Sequence, residues 1–216
     1  MASTDKAIAA TLRALNCEFH EEALHQVLDA VTRVVEQNVP GDLIEIGVYK
    51  GTMVMAMCTR LVQLGITDRR VHLYDTFEGM TPPTDRDSRG GAPPDMTSAA
   101  VRSCSSLDAV KANMALTGYP PEMLVYHVGD ICATRAEDVP ERIAFLRLDT
   151  DWYESTKFEL ATFVPRVSPG GVVTQDDYDY WNGATAAVDE HLSLRPHIKK
   201  NRMQPHGVWW VEPGAP

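Results

Sequence analysis

This chain predicts an α/β fold, a mostly parallel sheet with helices on both faces, and three observations carry the prediction. Short apolar, strand-like runs alternate with helical stretches along its 216 residues, and strands separated by helices pair in parallel because a parallel neighbour needs a crossover. Five of those runs end in, or within a residue or two of, an acidic residue or a glycine turn. The last stretch, HIKKNRMQPHGVWWVE, reads instead as two strands joined by a turn at Pro205 to Gly207, a hairpin that ends the sheet.

The elements follow in order. An N-terminal helical segment over residues 1–40 contains Glu21 to Glu36, where Leu24, Val27, Leu28, Val31, Val34 and Val35 form the i, i+3, i+4, i+7 stripe of an amphipathic helix, stopped by Pro40-Gly41. Leu43 to Gly47 is a short buried strand entering a turn, and Thr52 to Leu64 a helix. Val71 to Tyr74 is the second strand, ending at Asp75. Thr76 to Ala100 holds Pro82, Pro83, Pro93, Pro94, Gly90 and Gly91; so long an irregular stretch in a compact domain is expected to be a lid or substrate loop over the site. A helix over Leu107 to Leu116 is capped by Ser105 or Ser106. Strands over Leu124 to Val128 and Ile143 to Leu148 follow, then a helix over Tyr153 to Phe163. Ser168 to Gly171 is expected to turn before a fifth strand, Val172 to Gln175, and Ala184 to Leu192 is the last helix.

At ~150 residues per domain, this length predicts one domain over 1–216. A 44% apolar, 23% charged composition is that of a folded soluble protein. Thirty acidic residues against 20 Lys and Arg give a net charge of −10, which argues against nucleic acid or anionic membrane as a partner. No apolar run approaches the roughly 18–20 residues of a membrane span, and MASTDKAIAATLRALN lacks a signal-peptide profile. Cys17, Cys58, Cys104 and Cys132 show neither metal nor disulfide spacing, so a cytoplasmic location is expected.

In open α/β sheets ligands bind beyond the carboxyl ends of the strands, which brings Glu45, Asp75, Asp130, Asp149, Asp151, Asp176 and Asp177 to one rim. The first turn, Glu45-Ile46-Gly47-Val48-Tyr49-Lys50-Gly51-Thr52, lets a cofactor approach the backbone, but its G-x-x-x-G spacing is neither the dinucleotide fingerprint nor a P-loop. An acid two residues before Gly47 suits a cationic amino group. Asp75 stands where such folds present a carboxylate to a ribose diol, and equally where a turn wants a cap. The sharpest pattern is Asp149-Thr150-Asp151 with Asp176-Asp177. Read as a set without a matching cation nearby in sequence, these aspartates repel unless some are protonated or a cation is bound. All-oxygen ligation selects a hard ion: Mg²⁺, Mn²⁺ or Ca²⁺. The individual alternative is that one or two of them cap the following helices.

The segments NVPGDLIEIGVYKGT, YDTFEGM, LRLDTDWYEST, SPGGVVTQDDY and GVWWVE resemble, in order and spacing, the macrocin-type O-methyltransferases from about Asn38 to Glu212. The resemblance implies a Rossmann-like class I methyltransferase with a seven-stranded, mostly parallel sheet. It implies S-adenosylmethionine and Mg²⁺ as cofactors, and methylation of a hydroxyl in a vicinal diol on a sugar of a glycosylated natural product, as in antibiotic biosynthesis. By this similarity Asp149, Asp176 and Asp177 hold the metal and Asp151 is the general base. Glu45, Gly47, Val48, Tyr49, Gly51, Thr52, Asp75, Asp130 and Asp149 surround the cofactor, with Glu45 at the methionine amino group, Asp75 at the ribose and Asp130 near the adenine. The expected partners are a small-molecule acceptor with adjacent hydroxyls and further copies of the chain, a dimer or larger. The competing readings are a non-sugar acceptor, catechol-like or β-lactam-type, and a non-catalytic cofactor-binding subunit.

Overall fold

The computed structural model describes residues 3–15, 17–98 and 103–213. Two helices precede the sheet, α1 (Ser3–Ala14) and α2 (Glu21–Glu36). Then come β1 (Asp42–Ile46), α3 (Thr52–Gln63), β2 (Val71–Asp75), α4 (Leu107–Ala115), β3 (Leu124–Val128), β4 (Ile143–Leu148), α5 (Tyr153–Thr162), β5 (Val167–Gln175), α6 (Asn182–Ser193), β6 (Asn201–Arg202) and β7 (Val208–Val211). The seven strands lie in the order β3-β2-β1-β4-β5-β7-β6. The first five are parallel, and β7 runs antiparallel to both β5 and β6, so the expected sheet with its closing hairpin is the one observed. Among the described residues no helix is long and apolar enough to cross a membrane.

Alternation along the strands splits the core in two. Leu43, Val71, Leu73, Phe145 and Val172 bury against α1 to α4, while Ile44, Ile46, Leu146, Leu148 and Val173 bury against α5 and α6. A parallel sheet covered on both faces needs apolar residues at nearly every strand position. The exceptions on β1 and β4, Glu45 and Arg147, stand opposite each other in register and both point toward the α2–α3 face.

Helix ends follow local chemistry. Ser106 caps α4, its hydroxyl accepting from Ala109 N at 3.3 Å. Helix α5 has no cap of its own at Trp152; Asp87, far upstream, supplies one, with Oδ1 accepting from Tyr153 N at 2.7 Å. That contact anchors the irregular stretch after β2, which contains only a bridge between Arg89 and Ala92 within its described part, 76–98. Ala99 and Ala100, at its end, lie outside the described residues.

One expectation fails. Ser168 to Gly171 does not turn ahead of the fifth strand; it is a bulge inside it. Ile143 pairs with Val167 and Phe145 with Val172, so four residues of β5 oppose Ala144 alone. The bulge keeps its hydrogen bonds by turning to the other neighbour: Gly170 N donates to Glu212 O and Glu212 N to Gly171 O, each at 2.8 Å. Pro-Gly-Gly is turn vocabulary, but it serves equally where a strand must bend.

Candidate functional site

The carboxyl ends of β1, β2 and β4 converge on a cavity lined by Gly47, Tyr49, Asp75, Asp130, Asp149 and Asp151, among others. Gly47 sits at φ +84°, and a Cβ there would overlap the carbonyl oxygen of Asp149. Only glycine lets β1 and β4 close this tightly at the rim. Tyr49 also adopts a left-handed conformation, φ +49°, an uncommon one for a bulky side chain. Asp75 organises the turn: Oδ2 accepts from Val48 N at 2.7 Å and Tyr49 N at 2.9 Å, and Oδ1 from Phe77 N at 2.8 Å. Asp130 lines the same cavity while accepting from Cys132 N at 2.9 Å.

A second cavity adjoins the first, sharing Tyr49 and Asp149 with it, and is lined also by Glu45, Val48, Thr52, Arg147 and Asp176. Glu45 is 2% exposed; Oε1 accepts from Arg147, and Oε2 is buried without a partner. Burial pushes its carboxyl up to about 8 although Arg147 opposes this. Gly51 lines neither cavity; it begins α3 against Val110 and Met114 of α4.

The aspartates divide into two groups. Asp149, Asp151 and Asp177 bring one carboxylate oxygen each within 4.8 Å of one another, a grouping able to hold a metal ion. Asp176 turns the other way, its Oδ2 3.1 Å from Arg147 Nη2. Arg147 Nη1 also donates to Glu45 Oε1 and Asp149 Oδ2, each at 2.6 Å. This corrects the sequence reading that no cation stands near the set: a buried guanidinium two residues before Asp149 binds two of its aspartates, Asp149 and Asp176, together with Glu45. The described histidines stay outside the three-aspartate group, although His206 Nδ1 lies 2.6 Å from the carbonyl of Asp176.

One guanidinium does not balance five carboxylates. Burial, and then the Asp149 charge, lifts Asp151 to about 8. Burial lifts Asp149 to about 6 against the pull of Arg147. Asp177 rises well above the usual carboxylate range through burial and the charge of Asp151. Such a set either keeps protons or takes up a cation. Asp151 itself sits at φ +67°, its N–H donating to Asp177 Oδ2 at 3.1 Å and its Oδ2 accepting from Trp181 Nε1 at 2.8 Å.

Arg147, Asp87 and Trp181 escaped the sequence reading. For Arg147 the signal was present: a cation in the otherwise apolar strand IAFLRL. Asp87 reaches the site across a long sequence separation that no local pattern reports, and Trp181, four residues after Asp177, meets Asp151 only through the fold.

A model of the family described as macrocin-O-methyltransferase (TylF) matches residues 19–211. The chain is 37% identical over 150 residues to the 8-demethyl-8-(2,3-dimethoxy-alpha-L-rhamnosyl)-tetracenomycin-C 4'-O-methyltransferase of Streptomyces olivaceus, covering 68% of this chain and 57% of that protein. It is 33% identical over 172 residues to the demethyldecarbamoylnovobiocin O-methyltransferase of Streptomyces niveus, covering 78% and 64%. The chain thus spans under two thirds of the length of these curated relatives. Its structure superimposes on that of the O-methyltransferase NovP with a TM-score of 0.78 at 30% identity, covering 90% of this chain and 81% of that one.

Proposed function

Because this chain belongs to the macrocin O-methyltransferase (TylF) family, we propose that it transfers the methyl group of S-adenosylmethionine to one hydroxyl of a vicinal diol, on a sugar of a glycosylated natural product, with Mg²⁺ as the assisting ion. The class I methyltransferase sheet fits this reading, but the observation that carries it is the aspartate cluster beside the rim cavity. Three carboxylates within 4.8 Å of one another, with pKa values raised by burial and mutual repulsion, lack a balancing charge, which a hard cation on Asp149 and Asp177 would supply while leaving Asp151 beside it as a base.

The residues fit both groups. For the methyl donor, the Gly47 backbone lines the rim cavity, where a ligand can approach it closely. Asp75 accepts two backbone N–H groups at Oδ2 and one at Oδ1, which leaves a lone pair on Oδ1 for a ribose hydroxyl. Asp130 lies further along the same cavity. For the metal, Asp149 and Asp177 belong to both the expected set and the observed cluster. Asp176 would join them by leaving Arg147. Bound there, Mg²⁺ would lower the pKa of two adjacent hydroxyls and fix their direction.

The chain's own work is orientation and proton transfer. Asp151 takes the hydroxyl proton while the new O–C bond forms; the S–C bond breaks and its electron pair returns to sulfur. Methyl transfer of this kind depends largely on holding the oxygen in line with the donor, and rigid strand ends supply that. A cytoplasmic setting is part of the proposal, supported by cysteines that are all free.

Calorimetric titration with S-adenosylhomocysteine, with Mg²⁺ and with chelator, tests the reading. Binding under both conditions is expected, and turnover of a vicinal-diol glycoside is expected only with the metal. Absence of binding would overturn the methyltransferase reading, and turnover undiminished by chelator would remove the metal from it.

A further inference from the structure

Of the side chains around the aspartates, Trp181 has the least obvious reason to be where it is. It is 5% exposed and directs its indole N–H at Asp151 Oδ2, 2.8 Å away. Among the described residues this is the hydrogen bond that the Asp151 carboxylate receives. We propose that Trp181 is the positioning residue for the proton-accepting carboxylate, and that the segment from Met80 to Met96 holds it in place. The inference rests on Asp151 serving as the base in the reaction proposed above.

The chemistry of the donor favours this role over simple satisfaction of a buried polar group. An indole N–H donates and cannot accept, so it takes no proton from the carboxylate and offers none to the acceptor. It ties down Oδ2 and leaves Oδ1 for the hydroxyl proton. The Asp151 N–H is fixed at the same time on Asp177 Oδ2, and φ of +67° holds the residue in a conformation that needs support from its surroundings. The carboxylate is thereby held from its backbone and from one oxygen.

The upstream segment grips Trp181 and its neighbours from several sides. The indole packs edge-on against Trp152, ring centroids 5.2 Å apart. Trp152 Nε1 donates to Thr81 O at 2.8 Å, and Met80 and Met96 pack on the tryptophan pair. Asn182, next in sequence to Trp181, donates its N–H to Ser88 O and its side-chain amide to Ser88 Oγ, each at 2.9 Å. The aim of the base is therefore coupled to the folding of a segment that starts some seventy residues earlier.

Trp181→Phe removes the donor and little else. The expected result is a fall in kcat of tenfold or more, with acceptor KM, affinity for S-adenosylhomocysteine and melting temperature nearly unchanged. In Asp151→Asn, which lacks the base, the same change should cost nothing further; a residue with a merely structural role would cost the same in both backgrounds. Full kcat in Trp181→Phe, or losses that multiply in the double variant, would overturn the inference. Full activity in Asp151→Asn would instead overturn the assignment of the base. A second measurement leaves position 181 intact: in protein labelled with ¹⁵N-tryptophan, the Trp181 indole proton should resonate downfield and move upfield in Asp151→Asn. An unmoved signal also sinks the proposal.

Discussion

Arg147 shows what a single residue does at this site. Its guanidinium is 3% exposed and reaches carboxylates from the strand or strand end of β1, β4 and β5. Removing one partner of a buried ion pair leaves the others uncompensated and costs about 3–5 kcal/mol. Arg147→Met should lower stability to urea by about that much, and a variant as stable as the parent would show that the carboxylates hold their own protons instead. The rim aspartates were legible because each ends an apolar run. The pairing of Arg147 with Glu45 was not, since the two face each other only through the β1–β4 register, and pairing register is a property of the sheet. The β4–β5 register, with Leu148 opposite Gln175, brings Asp177 beside Asp149 and Asp151 while Asp176 faces the guanidinium, a division that the dipeptide Asp176-Asp177 does not reveal.

At the scale of elements, strands and helices were readable almost to the residue, because buried parallel strands and amphipathic helices have distinct periods. The β5 bulge was not, since its hydrogen bonds run to the chain beyond β7. Neighbouring strands also carry a pH-sensitive pair. His72 on β2 and His127 on β3 lie 3.0 Å apart, nitrogen to nitrogen, with Asp42 on the far side of His72 at 3.1 Å. Tyr74 stacks on His127 at 3.9 Å. Burial, and then His72, depresses His127 to about 4. The unfolded chain, with an ordinary histidine pKa near ~6.5, binds this proton more readily than the folded one. The contribution is therefore fully present above about pH 6.5 and is lost as pH falls toward 4. His127→Gln should flatten the pH dependence of urea stability across that window; an unchanged slope would assign the acid sensitivity elsewhere.

Across the whole molecule, the site is closed by contacts between segments remote in sequence. Asp87 reaches Tyr153 at the start of α5, and Gly183 at the start of α6 gives Asp87 the space to do so: a Cβ on Gly183 would overlap Asp87 Oδ1. Nothing in the local sequence of Gly183 announces this, whereas the parallel pairing of the first five strands follows from the alternation of strands with helices and the need of a parallel neighbour for a crossover. Gly183→Ala should expel Asp87, weaken the start of α5 by about 1–2 kcal/mol and open residues 80–96 to limited proteolysis, while cleavage no faster than in the parent would show that the segment has other anchors. A single methyl group at position 183 is then a remote handle on the carboxylate proposed to accept the proton. It would release residues 80–96 from the tryptophan pair, and with them the aim of the Asp151 carboxylate, from a position that contacts neither.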